Sequence, residues 1–390
     1  MKFLYMFLIL KTLGCVTTPK NIGNDPLSWK GSTSSDLIGG LALHQCFSYQ
    51  NKILVFGGVR DDIDHDPYNN KAFLFDLKSE EWIVIRPMTE RLSQQRLGGG
   101  QAGIVAAGGI TNRKYMSRNT YLLDPENLAW IEASYPELDP RVRHSMVYTE
   151  GHLVVIIGGE NHKKERLNWG VYDLIRKKVK VLPTPKAGGK LVSHVAEPMG
   201  RNVFVWGGFQ NNKRSNDGFI VFPDNSTWEK VAPSPLSPRS NARSVSFGNQ
   251  KVLIWGGANP ERDSNSGAIY DGLTNSWRSV PSIPDKRYSV IKNPSLTLVD
   301  ETSVLLWGGR FETHEFSNDG WILDLRLLRW KRFPQKGVPE GRMHHCMLKH
   351  GNALFLFGGI GGEPSALKHF RVPYVLDFDT SELELQSLAE

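Results

Sequence analysis

A pair of glycines closes an apolar run seven times along this 390-residue chain, at nearly constant spacing. The pairs begin at Gly57, Gly108, Gly158, Gly207, Gly256, Gly308 and Gly358, with gaps of 51, 50, 49, 49, 52 and 50 residues. The preceding runs, such as "ILVFGG", "VFVWGG" and "LFLFGG", are apolar throughout and do not alternate. That pattern belongs to strands packed on both faces. Glycine then lets the chain turn sharply at positive φ and pass close to other backbone. No helix follows to hold an anion, so the pairs read as structural. An internal period near fifty residues builds propeller blades or a solenoid.

Other landmarks recur in register. A polar loop follows each pair, then a short apolar run ending in Asp76, Asp124, Asp173, Asp224, Asp271, Asp324 or Asp377. Six residues beyond that Asp stand Trp82, Trp130, Val179, Trp277, Trp330 and Leu383, while repeat four has a shorter turn and reaches Trp228. This reads as two strands joined by a tight turn, the second opened by a bulky anchor. Another strand and short turn precede each glycine pair, as in "HSMVYTEGHLVVII". Each repeat thus holds four short strands, A to D, in a meander without helices. The pattern resembles the Kelch repeat over about residues 40 to 390. That resemblance implies an all-β fold: a seven-bladed β-propeller of four-stranded antiparallel blades. The ring must close. The segment "LELQSL" around Leu383 is the expected last strand, with "LSWKGS" around Trp29 as the alternative.

The ends suggest a compartment. Lys2 and the apolar run from Phe3 to Leu10 read as an export signal, being too short to span a bilayer. Thr12-Leu13-Gly14-Cys15 resembles a bacterial lipobox, which implies lipidation at Cys15, although Thr12 and Lys11 depart from the usual pattern. The expected organisation is a leader over 1–14, a flexible tether over 15–35 and the propeller over 36–390. On this reading the protein is an exported monomer, lipid-anchored at a bacterial outer membrane or in the periplasm.

In a four-strand meander, the loops after Gly-Gly and the loops between blades share one face. The Gly-Gly loops are the longer and more charged set, so that face is expected to work. Counting back from the glycine pairs finds His44, Arg96, His144, His194, Arg243 and His344, with Arg143 and His345 doubling two positions and Asn293-Pro294 breaking the series. In Kelch propellers strand A is innermost, so the resemblance implies a collar of these residues around the axial channel. Imidazoles and guanidiniums together suit carboxylates or acidic sugars. The competing reading is that they only brace neighbouring loops.

No zinc-type spacing or accompanying copper-oxidase motif is present, so no metal and no cofactor are expected. The acidic run Asp62-Ile63-Asp64-His65-Asp66 lacks the glycine and the final Glu of a calcium loop. Cys46 and Cys346 occupy matching places in blades one and seven, and export would permit a disulfide there. The net charge of +7 is modest for this length, and the basic residues are scattered, which speaks against nucleic acid. The expected function is a binding module that presents one propeller face to a protein or glycan at the cell envelope, with an anionic ligand suiting the collar. The alternative is an epimerase or mutarotase for an acidic sugar such as a sialic acid, with a His or a Glu such as Glu160 or Glu312 moving the proton.

Overall fold

The computed structural model describes residues 28–378 apart from 33–39, 61–70, 91, 101, 112–113, 125, 135–137, 164–166, 186–189, 249, 262–263 and 364–365. The leader, Cys15, the acidic run at 62–66 and Leu383 fall outside the described residues.

Seven four-stranded antiparallel meanders account for most of the structure. Their innermost strands, A, are Gln45–Tyr49, Arg96–Gly100, Val142–Thr149, Val195–Met199, Arg243–Phe247, Ser295–Asp300 and Cys346–His350. Each A strand neighbours the next around a ring, and that of blade seven lies beside that of blade one. Strand B follows in each blade, for example Lys52–Phe56 and Ala353–Phe357 in blades one and seven. Its apolar residues are buried in every blade, as expected of a strand enclosed between two neighbouring blades. One short 3-10 turn, Lys286–Ser289, precedes blade six, and among the described residues the helix-free expectation holds apart from that turn.

The conserved geometry of the repeat has a simple chemical basis. Both glycines of all seven pairs have positive φ. A Cβ on Gly108 would stand 2.5 Å from the Arg141 carbonyl oxygen and 2.7 Å from His144 Cε1 in the next blade. At the opposite face, the Asp ending strand C accepts from the backbone amides that follow. Asp76 takes Lys78 N at 2.9 Å, Asp173 takes Arg176 N at 2.8 Å, and Asp324 takes Arg326 N at 2.8 Å. These side chains fix the tight C–D turns.

The tryptophan opening strand D locks adjacent blades together. Its ring packs on the last residue of strand B in the preceding blade: Trp130 on Phe56 at 5.5 Å, Trp277 on Trp206 at 6.2 Å, and Trp330 on Trp255 at 4.7 Å. Trp277 and Trp330 also donate their indole N–H to the loop leaving that preceding blade, at Ala232 O (2.9 Å) and Pro281 O (2.8 Å).

The same rule identifies the closing strand, and it corrects the expectation. Lys30–Gly31 pairs antiparallel with Tyr374–Asp377, strand C of blade seven, matching Lys30 with Val375 and Gly31 with Tyr374. Blade seven therefore takes its D strand from the N-terminal end. The D-strand position that Leu383 was expected to fill is occupied by this segment, and residues 28–32 belong to the propeller, not to a tether. Trp29 occupies the anchor place that Trp330 holds in blade six. Closing the ring with a strand from the far end of the chain ties the first and last blades together.

Candidate functional site

The A strands surround a channel of about 440 Å³. Strand register sorts the eight candidate residues into three classes. The pairing His144↔Gly158, and its continuation from Cys346↔Phe357 and Val195↔Trp206, puts His44, His144, His194 and His345 opposite the first glycine of their own blade. The same position holds Gln95, Ala242 and Pro294 in blades two, five and six.

The four histidines act as plugs. His144, His194, His345 and His44 each bring Cε1 against the first glycine of the preceding blade, namely Gly108, Gly158, Gly308 and Gly358. His44 also packs edge-on against Phe357 at 5.4 Å, and His345 against Trp307 at 5.1 Å. Their ring nitrogens are sealed from solvent. Burial pushes His44 down to about 4, opposed by the Phe357 backbone. Burial and then the Arg96 charge push His194 down to about 3. His144 and His345 lie well below the ordinary imidazole value, first through burial and then through nearby arginines. These neutral, enclosed rings brace the seams between blades. All four also stand in the wall of the channel, with their ring nitrogens turned into the seams.

One residue earlier, the chain takes a left-handed conformation in every blade, at Leu43, Gln94, Arg143, Ser193, Asn241, Asn293 and His344, with φ between 52° and 61°. These residues ring the channel mouth. Arg143 and His344 belong to this class and are engaged. Arg143 pairs with Glu160 at 2.9 Å and reaches Ser193 Oγ at 3.3 Å, while His344 meets Asn293 Nδ2 at 3.3 Å. Burial, then Arg243, lowers His344 to about 4.

One residue later come the side chains set into the channel, Arg96 and Arg243. Neither makes an ion pair with any carboxylate among the described residues. Enclosure by the propeller lowers the pKa of both, and Arg96 lowers Arg243 further. Deeper along strand A of blade four, Glu197 accepts from Ser244 Oγ at 2.6 Å. Burial raises its carboxyl to about 7, against the pull of Ser244 and the Ser246 backbone.

Three structural arginines escaped the sequence reading: Arg141, Arg239 and Arg342, all at most 2% exposed. Each donates to the carbonyl of the first glycine of its own blade, at 3.1, 3.0 and 3.0 Å. Each backbone carbonyl in turn accepts from the second glycine of the preceding blade, at 2.9, 2.8 and 2.8 Å. Their signal was legible as an Arg 17, 17 and 16 residues before Gly158, Gly256 and Gly358. Glu197 also went unremarked, and its signal was a lone acid within the otherwise uncharged strand "VAEPM". Glu160 is held by Arg143 and by Lys190 at 2.8 Å, and its pKa is lowered despite partial burial, which makes it a poor proton acceptor.

Cys46 and Cys346 form a disulfide across the seam of blades one and seven, with Cα atoms 6.1 Å apart. The two sulfurs and a His44 nitrogen lie within 4.8 Å of one another. With the sulfurs bonded to each other they offer no thiolate to a metal.

The fold defines a seven-bladed propeller whose channel carries two arginines that pair with no carboxylate among the described residues. The chain belongs to the Kelch-repeat family. The profile of the KLHDC2/KLHL20/DRC7 Kelch-repeats domain matches residues 97–290 and 243–388, and that of the Kelch motif matches residues 41–89. Among curated proteins it is similar to Acyl-CoA-binding domain-containing protein 4 of Arabidopsis thaliana, 24% identical over 213 residues, which is 52% of this chain and 30% of that protein. It is also similar to Host cell factor 2 of Homo sapiens, 33% identical over 92 residues, which is 22% of this chain and 11% of that protein. The matched part is under a third of either relative's length.

Proposed function

We propose that this Kelch propeller is a binding module for a protein or glycan partner, and that it receives a carboxylate of that partner between Arg96 and Arg243. The supporting observation is the pair of enclosed guanidiniums that form no ion pair with a carboxylate among the described residues, although Glu197 lines the same channel. Two like charges held in a channel of about 440 Å³ repel each other until an anion arrives. Arg offers such an anion a planar, bidentate contact. In both relatives the matched stretch is a minor part of a larger protein, which suits a recruited module. A signal peptide and lipidation at Cys15 would hold the module at a cell envelope. Labelling with an alkynyl fatty acid, abolished by Cys15→Ser, tests that part.

A second reading is favoured by one observation, the Glu197 carboxyl poised near neutrality in the same channel. An epimerase or mutarotase for an acidic sugar would hold the carboxylate on the arginines and use Glu197 for proton transfer. A thermal-shift series with glucuronate, N-acetylneuraminate, neutral glycans and short acidic peptides tests both. Acids should raise the melting temperature saturably and neutral glycans should not. Turnover of an acidic sugar, lost in Glu197→Gln, would select the enzyme. A flat response to every acid would overturn the channel as the site.

A further inference from the structure

The plug position is not filled everywhere. In blade six it holds Pro294, and a Cβ built on Gly256 of blade five would meet only the Ser264 carbonyl, at 3.2 Å. Where histidine occupies this place, its ring closes against the glycine pair. Beside Pro294 the seam between blades five and six opens instead into a cavity of about 410 Å³. Trp255, Gly256 and Gly257 form one wall, and Ile291 and Pro294 the other. Pro294 also lines the channel, so the two spaces lie side by side.

The chemistry of this cavity is mixed in a particular way. Trp255 is 1% exposed, and among the described residues its indole N–H has no acceptor, as is also true of Trp206 at the same place in blade four. A buried donor without a partner is costly unless something supplies an acceptor. Arg214 and Lys292 stand exposed at the rim, neither forms an ion pair with a carboxylate among the described residues, and together they outnumber the one carboxylate lining the cavity, Glu312. Arg214 lies instead over the Phe209 ring, 5.2 Å from its centre. Flat apolar walls, a buried donor and rim cations fit a planar ring that carries an anionic acceptor. The volume falls in the range of small-molecule sites.

We propose that the blade five–six seam is a second binding site, separate from the channel, for an aromatic carboxylate. The probe is 4-fluorophenylacetate, followed by fluorine NMR on the full propeller. The expected result is saturable broadening of its resonance that survives Arg96→Ala and disappears in Pro294→His, which restores the plug. Loss in Arg96→Ala alone would place the probe in the channel and overturn the proposal without touching the function assigned to the channel. Equal binding by a folded Pro294→His, or no broadening at millimolar protein, would also overturn it. If Pro294→His does not fold, Arg214→Ala/Lys292→Ala serves instead. An affinity lower by about tenfold is then expected from loss of two charge-assisted contacts, and unchanged affinity would refute the assignment.

Discussion

Trp29 packs its indole ring 6.2 Å from that of Trp307, and its N–H donates to Gln335 Oε1 at 3.1 Å. Blade seven thus repeats the contact that Trp330 makes with Trp255 one blade earlier. Trp29 is 4% exposed although it lies near the N-terminal end of the chain. Replacing it with Ala should destabilise the propeller by about 3–5 kcal/mol, the usual cost of emptying a buried tryptophan site. Chemical denaturation measures this. A loss under about 1 kcal/mol, the size of a surface substitution, would mean that the N-terminal strand does not close the ring.

The Cys46–Cys346 bridge staples the neighbouring seam, between blades seven and one, across 300 residues of sequence. A cross-link over so long a loop is worth about 2–4 kcal/mol. Cys346→Ser, or reduction of the native protein, should lower the midpoint of unfolding accordingly. Thiol titration of the unfolded, unreduced, unlipidated chain checks the pairing itself, because of its three cysteines only Cys15 should react.

Acid should weaken the fold well above the range where carboxylates titrate. His44, His144, His194, His344 and His345 all have folded pKa values below the ordinary 6.5, so the unfolded chain binds more protons than the folded one. Their contribution is complete above pH 6.5 and is lost as pH falls toward 4 and below. Each excess proton on the unfolded chain costs about 1.4 kcal/mol per pH unit. Glu197 opposes them: its pKa is raised to about 7, so its contribution is present below 4.5 and lost as pH rises through 7. Unfolding free energies measured from pH 7.5 to 4.5 should therefore fall with acid, and His144→Gln should flatten the slope by part of one proton. A flat profile would mean that the imidazoles are not held neutral.

Glu197 makes a second pH prediction, for binding. Above pH 7 it adds a negative charge to the channel that holds Arg96 and Arg243. Affinity for an acid should therefore fall as pH rises from 6 to 8, and Glu197→Gln should remove that dependence. Fluorescence anisotropy of a labelled acidic peptide would follow it. A Glu197→Gln profile identical to wild type would remove Glu197 from the ligand's surroundings.

Much of the fold was legible because the repeat writes it seven times. The glycine pairs, the turn aspartates and the strand D tryptophans each have one main structural task and appear where register demands, except in blade seven, whose anchor is Trp29. The site was less legible. His44, Arg96 and Arg143 look alike as basic residues near the start of strand A, yet each belongs to a different register. A shift of one residue decides whether a side chain plugs a seam, enters the channel or rims its mouth. Pairing to the Gly-Gly strand reveals that register, and counting back 12 to 14 residues blurs it. Closure was ambiguous for another reason. "LSWKGS" and "LELQSL" both suit a D strand, and only tertiary packing on Trp307 chooses between them.

The central claim is that Arg96 and Arg243 hold a carboxylate. Isothermal titration of glucuronate and of an acetylated triglutamate peptide, into wild type and Arg96→Gln/Arg243→Gln at low salt, tests it most directly. At least one acid should bind the wild type saturably. The double variant should melt at the same temperature and bind about tenfold or more weakly. Equal affinity in a folded double variant, or no binding of either acid to the wild type, would contradict it.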